Sequence, residues 1–332
     1  MNDRRVFNRK LLRSGAIIAV SLVVIIITLL LLHVWEERQG GLPWENLEAN
    51  TNKTIRYDGK WYELRDDVET ILVMGLDKFE GASSQDSYNN DMQADFLTLL
   101  VLDKDNDTVT TLQINRDTMA KMNILGLDGE VIGTKKAQLA LAHTYGSGGR
   151  DICKNAAEAV SNFLYETPID HYVSLTMDAV AELNDMVGGV EVTVLDDFGD
   201  VDKSLVKGQK VVLQGQQALT YVRSRGGVAD STNVNRMRRQ RQYLDALYAK
   251  LSETVEKDDE FISRVGLKLA EYMVSDCTVA QLERIADFVS EYDTGDIREI
   301  EGKSSVGEQY MEFYPDEEAL QKMIIELFYE PK

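Results

Sequence analysis

The stretch ADFLTLLVLDKDNDTVTTLQINRDTM (94–119) decides the architecture. Two apolar runs, FLTLLVLD (96–103) and TVTTLQIN (108–115), flank KDND (104–107), which has the composition of a turn, so the chain reads as a strand, a turn and a returning strand. A third apolar run, ETILVMGLD (69–77), suits another buried strand. Placed antiparallel to the first strand of the hairpin, it ends at Asp77; the chain then re-enters at Asp95, turns, and climbs again to Arg116. Asp77, Asp95 and Arg116 would then share one edge of the sheet. The 78–94 connection is long enough for a binding lid, with a plain surface insertion as the other reading.

Downstream the pattern alternates. Helical periodicity at 135–145 and 151–164 is followed by a strand at HYVSL (171–175) and a helix near 176–186, then by GGVEVTV (188–194), a strand entered through two glycines. After Gly208 come a strand, a turn and a short helix that ends in arginines, and then a long helix from Asn233 to about Leu251. This order predicts an α/β fold with a mixed central sheet and helices on both faces. Residues 256–332 read as a mainly helical C-terminal extension, with helices at 259–274, 278–291 and 315–329 and a strand near IREIEG.

Upstream, residues 14–34 carry no charged side chain, about the length of helix that crosses roughly 30 Å of hydrocarbon. A secretory signal would be shorter and would be followed by a small-residue cleavage site. Arg4, Arg5, Arg9, Lys10 and Arg13 precede the run and Glu36 and Glu37 follow it, so residues 1–13 are expected in the cytoplasm and the rest outside the cell membrane. Residues 35–60 read as an extracytoplasmic stalk, and 61–255 as the main domain. The whole chain carries −20; removing the net +4 of residues 1–13 leaves −24 outside, which excludes nucleic acid as a partner. Cys153 and Cys277 could form a disulfide there or remain two buried thiols.

Against this acidity, YVRSRGGVADSTNVNRMRRQRQ (221–242) holds six arginines and a single acid, Asp230. Asn233, Arg236 and Gln240 fall on one helix face by their spacing of three and four, while Arg238 and Arg241 point elsewhere. Arg223, Arg225, Arg236 and, less directly, Arg239 can converge. Guanidinium forks hold phosphate oxygens in pairs, so such convergence points to a phosphate or pyrophosphate; surface salt bridging is the alternative. Asp77 and Asp95 suit Mg²⁺, which takes one or two carboxylates and completes its shell with water and phosphate oxygens. No GxSxG, P-loop lysine or HExxH occurs, which removes serine hydrolase, ATPase and zinc protease readings.

GLD (75–77), ADFLTLLVLD (94–103), LQINRDTM (112–119), HTYGSGG (143–149), VGGVEV (187–192), LQGQQALTYVRSR (213–225) and NRMRRQ (235–240) together resemble, in order, the motifs of the LytR-CpsA-Psr family. The resemblance implies a three-layer α/β/α extracytoplasmic domain that binds polyprenyl pyrophosphates. It also implies Mg²⁺-dependent transfer of a glycopolymer, such as teichoic acid or capsule, from its lipid carrier to peptidoglycan, with a pyrophosphatase side activity in some members. Carried over by position, Asp77 and Asp95 are the metal-associated acids, and Arg116, Arg223, Arg225, Arg236 and Gln240 the pyrophosphate-binding set. Asp95, Arg116 and Arg225 are then the catalytic residues, with Asp95 accepting the proton of the attacking hydroxyl. Three positions depart from the family pattern. Gln93 and Gln138 stand where it has an arginine and a lysine, and Asn233 where it has an acid, which Asp117 or, by a loop shift, Asp230 could replace. The departures leave open a second reading, a non-catalytic polyprenyl-phosphate-binding or cell-wall scaffold protein.

Overall fold

A computed structural model of the protein describes residues 54–76, 92–126, 128–146, 148–255, 257–258, 261–269, 272–278, 281, 284, 293–308 and 310–332. The apolar run 14–34, Asp77 and most of the 78–94 connection lie outside the described residues. Among the described residues, no helix is long and apolar enough to cross a membrane.

In chain order, β1 (Thr54–Tyr57) and β2 (Lys60–Leu64) form a hairpin ahead of β3 (Val68–Leu76), β4 (Ala94–Asp103) and β5 (Thr108–Ile114). A further hairpin of β6 (Met119–Leu125) and β7 (Val131–Gln138) runs into a 3-10 turn at Leu139–Thr144 and then α1 (Arg150–Phe163). Next come β8 (His171–Thr176), α2 (Asp178–Met186), β9 (Val190–Thr193), β10 (Lys210–Leu213), α3 (Gly215–Arg223) and α4 (Asn233–Val255). The remainder forms α5 (Phe261–Leu269), β11 (Met273–Ser275), β12 (Asp293–Glu299), β13 (Gly302–Val306), β14 (Met311–Pro315), α6 (Glu317–Phe328) and β15 (Tyr329–Pro331).

The central sheet has six strands in the order β11-β8-β3-β4-β5-β12 and is mixed, as expected. β3, β4 and β5 form the antiparallel meander, whereas β8 runs parallel to β3 and β12 parallel to β5. Leu97 faces Ile114 across the β4–β5 ladder, so continuing that register brings Asp95 level with Arg116. One sheet face packs Leu72, Met74, Leu97, Leu99 and Leu112 with Ala156 and Val160 of α1 and Ile324 and Phe328 of α6. On the other face, Ile71, Val73, Phe96 and Leu175 line an apolar slot roofed by residues of α2, α4 and α5. Gly189, at φ +93°, turns the chain from α2 into β9; a Cβ there would lie 2.9 Å from the Leu213 carbonyl.

Three segments differ from the expectations. Residues 135–145 are not a single α-helix: up to Gln138 they belong to β7, with Ala137 and Gln138 paired to Ala120 and Met119, and only Leu139–Thr144 are helical, as a short 3-10 segment. Strand structure begins at Thr54, within the range read as stalk, because β1 pairs with β2 and β2 with β15. Of residues 256–332, the helices expected at 259–274 and 315–329 are present as α5 and α6, most of the one expected at 278–291 lies outside the described residues, and the segment also supplies both outer strands of the central sheet, so it is part of the domain. β12 (DTGDIRE) overlaps the strand expected near IREIEG, while β11 (MVS) is too short to give a period-two signal, as edge strands often are. A chain ended at residue 255 should therefore lack both edge strands and the α6 side of the core. We expect it to aggregate or to show no cooperative unfolding transition by circular dichroism, where the full domain shows one.

Candidate functional site

The site forms where β4 begins, β5 ends and α4 starts. Asp95 Oδ1 is ion-paired to Arg116 and lies 3.5 Å from Nη1 of Arg236. Arg236 also donates to the Asp95 backbone carbonyl at 3.3 Å. One carboxylate thus joins β4 to the segment after β5 and to α4. The first turn of α4 is capped by Thr232, whose hydroxyl accepts the Asn235 N–H at 3.4 Å. Asp230 accepts from Thr232 and Asn235 on the exposed side of this loop, so it braces the cap and does not replace an acid in the pocket.

The three positions that depart from the family pattern are wired to the remaining charges. Gln93 Oε1 accepts from Arg116. Gln138 Nε2 donates to Asp117 Oδ1 at 2.9 Å and to the Met311 carbonyl at 2.7 Å. Asn233 Oδ1 accepts from both Nε and Nη2 of Arg236, at 3.0 and 2.7 Å, and its Nδ2 donates to Asn115 Oδ1 at 2.7 Å. Asp117, named from sequence as a replacement for the missing acid, is therefore at the site, whereas Asn115 was not counted among its residues. The signal available for Asn115 was its position in NRD, directly past the end of a buried strand. Burial pushes the Asp117 carboxyl above its ordinary value, against the opposing pull of Arg116, Arg225 and Arg236.

The arginines divide. Arg116 and Arg236 meet at Asp95, and Arg225 is close enough to Asp117 to act on its charge. Arg223 lies exposed at the end of α3. Arg239 does not join the site: its guanidinium pairs with Asp196 at 2.7 Å, donates to the carbonyls of Tyr221 and Ser224, and sits 5.3 Å from the Phe198 ring. It fastens the segment carrying Arg225 to α4. Arg238 and Arg241 face outward, bonded to Asn235 and Glu299. Gln240 points back under the site, donating to the Val222 carbonyl at 3.1 Å and lining the apolar slot, a cavity of about 160 Å³.

Behind the site, His143 Nδ1 donates to the Met92 carbonyl at 3.1 Å, anchoring the residue next to Gln93. His143 Nε2 lies 3.3 Å from both Cys153 Sγ and Ser174 Oγ. All three are fully buried; burial pulls the imidazole down to about 4 and pushes the thiol up to about 12, so this Cys–His pair is a structural brace. Cys153 and Cys277 are both free, buried thiols. For a hard divalent cation, the carboxylate of Asp95, whose Oδ1 is paired with the two arginines, is the candidate ligand among the described residues. A carboxylate is a ligand of the right class for Mg²⁺, and the second expected acid, Asp77, lies outside the described residues.

The LytR_cpsA_psr family pattern matches residues 42–328. The polyisoprenyl-teichoic acid–peptidoglycan teichoic acid transferase TagV of Bacillus subtilis is 30% identical over 239 residues, covering 70% of this chain and 51% of that protein. The corresponding transferase TagU of Bacillus licheniformis is 27% identical over 205 residues, 62% of this chain and 59% of that protein. The chain therefore spans between about half and three fifths of the length of these relatives. The crystal structure of B. subtilis TagV superposes with a TM-score of 0.56 at 27% identity, over 80% of this chain and 97% of that one.

The division of the arginines is testable. Arg239→Met should destabilise the fold by about 3–5 kcal/mol in urea unfolding, because it strands the buried Asp196 carboxylate. Arg225→Met, at a half-exposed position, should shift stability by no more than about 0.5 kcal/mol while weakening binding of a polyprenyl phosphate.

Proposed function

The chain belongs to the LytR_cpsA_psr family, and on that premise we propose that it transfers a polyprenyl-pyrophosphate-linked anionic glycopolymer, of teichoic acid or capsule type, to peptidoglycan. The observation that carries this reading is the adjacency of an arginine-lined anion site to a hydrocarbon slot. Arg236 holds the site, and one turn further along α4 Gln240 lines the slot, whose walls are almost wholly apolar. A phosphate on a single long alkyl chain satisfies both halves at once. The relatives' names, which specify transfer of a polyisoprenyl-linked teichoic acid to peptidoglycan, support the same substrate pair. Residues 14–34 would anchor the protein in the cell membrane, with the main domain outside.

In this mechanism an acceptor sugar hydroxyl attacks the glycopolymer-bearing phosphorus. A new P–O bond forms, the bond to the bridging oxygen breaks, and polyprenyl phosphate leaves. Arg116, Arg236 and Arg225 stabilise the negative charge on the transferring and departing phosphates. Asp95, already held between two guanidinium groups, sets their positions and is the weaker proton acceptor. Asp117, made more basic by burial, is the carboxylate better suited to take the hydroxyl proton. Mg²⁺, held by Asp95 and Asp77, would supply further charge neutralisation. Water replacing the sugar hydroxyl would give the pyrophosphatase side reaction.

One observation favours the second reading, a lipid-phosphate-binding protein without turnover. Gln93, Gln138 and Asn233 are neutral, and each is hydrogen-bonded to a charged group of the site. The two readings separate in a single assay of polyprenyl phosphate release from a lipid-linked polymer, with and without a peptidoglycan oligomer. Acceptor-dependent release is expected from the wild type. Asp95→Asn should lower it by about 10²–10³, the loss typical of a disrupted electrostatic site. Lipid binding without release would establish the binding protein instead.

The pH profile gives an independent check on Asp117. Its carboxyl must be ionised to accept a proton, and its folded pKa lies above the ordinary 3.8. Release should therefore fall on acidification while the pH is still above the ordinary carboxylate range. Asp117→Asn should be slow at every pH and lack that limb. An unchanged profile would assign the proton to another group.

A further inference from the structure

Building on the transferase reading, we infer that a second cleft, lined by Val234 and Met237 near the start of α4, is the acceptor subsite, shaped for an uncharged, hydroxyl-rich saccharide. α4 contributes to both cavities. Gln240, Tyr243, Leu244 and Leu247 line the slot, whereas Val234 and Met237 line the cleft of about 790 Å³ closed by the β12–β13 connection, the end of β14 and the start of α6. The two cavities share one helix, and the Asp95 site lies at its head. A donor whose lipid fills the slot leaves the cleft as the formed approach to the same phosphorus from another side.

Asn115 gives the cleft a built-in contact. It lines the cleft and is only 4% exposed. Its Oδ1 accepts from the Asp117 N–H at 2.9 Å and from Asn233 Nδ2 at 2.7 Å, which fixes the orientation of the amide. Its Nδ2 makes no hydrogen bond among the described residues. That leaves two N–H donors, one bond removed from Asn233 and so from Arg236, for an oxygen of a bound molecule. A sugar hydroxyl or acetamido carbonyl fits this need. Tyr314, 42% exposed, adds an aromatic surface to the wall.

The charge of the walls selects the occupant. Glu301, Asp316, Glu317 and Glu318 line the cleft against Lys303, whereas arginines line the donor site. Carboxylates accept hydrogen bonds from hydroxyls and repel phosphate, so a polyanionic glycopolymer is kept on the arginine side and a neutral glycan is admitted on the other. One helix thus sorts the two substrates by charge.

The probe is chitotetraose, a neutral N-acetylglucosamine tetramer, titrated calorimetrically into the full-length protein in detergent. The variants are Glu301→Lys and Tyr314→Ala, both at exposed side chains. Binding to the wild type is expected, at least tenfold weaker in each variant, with exchange protection of backbone amides at 299–303 and 313–318. Absence of binding, equal affinity in all three proteins, or protection confined to other segments overturns the subsite. Undecaprenyl phosphate, titrated in parallel, judges the donor reading separately. It should bind the wild type and both variants alike. Its failure to bind the wild type would sink the lipid-donor reading, while the sugar titration would still decide the cleft.

Discussion

Asp95 stands between two guanidinium groups that come from different parts of the chain. Arg116 follows β5 and Arg236 lies in the first turn of α4, and both are almost wholly buried. Without the carboxylate, two like charges would face each other where water screens them poorly, at a cost of several kcal/mol per ion. With it, the end of the sheet and the head of a 23-residue helix are pinned at one point. The slot below, the cleft beside and the anion site above all take their positions from that pin. Asn233 adds to it by accepting two hydrogen bonds from Arg236, and asparagine does this without introducing a further charge.

The parts of this arrangement carried by strong local patterns were legible in the sequence. The 94–115 hairpin has long apolar runs around a polar turn, so its register, and with it the meeting of Asp95 and Arg116, followed directly. The spacing of Asn233, Arg236 and Gln240 likewise placed three buried residues on one helix face. Arg239 was harder to place. It lies about 60° round the helix from Arg236, near enough to pass for a fourth member, and only the tertiary position of Asp196 shows that it is spoken for. The β6–β7 hairpin was hidden because its apolar and polar residues do not alternate cleanly and many are partly exposed; β11 was hidden because it has only three residues, whereas β12 was legible only at its IRE end. Asp117 was legible as a candidate acid, but its burial was not, since that depends on Gln138 and on the backbone of β14.

Substitutions at Gln93, Gln138 and Asn233 relative to the family pattern do not open holes in the site. Each amide can donate and accept, so each satisfies a neighbour that a charged residue would otherwise hold by ion pairing. The result is a pocket of lower charge density in which Gln93, Gln138 and Asn233 are each bonded to a charged group. Such a site is pre-organised before any ligand arrives, and less of the ordering cost then falls on binding.

The parallel pairing of β12 with β5 has a consequence for how the protein reaches this state. Thr108 and Asp293 are partners in one ladder although 185 positions separate them in the chain. Contacts of such long range raise the mean sequence separation and slow the search for the native topology. During synthesis β3, β4 and β5 emerge long before β12, so the meander waits with one outer edge unpaired and open to other strands. The polar, charge-bearing sequence of β12 is thus the last piece to seal an apolar sheet. Any delay in its arrival lengthens the interval in which the chain is most vulnerable to misassembly.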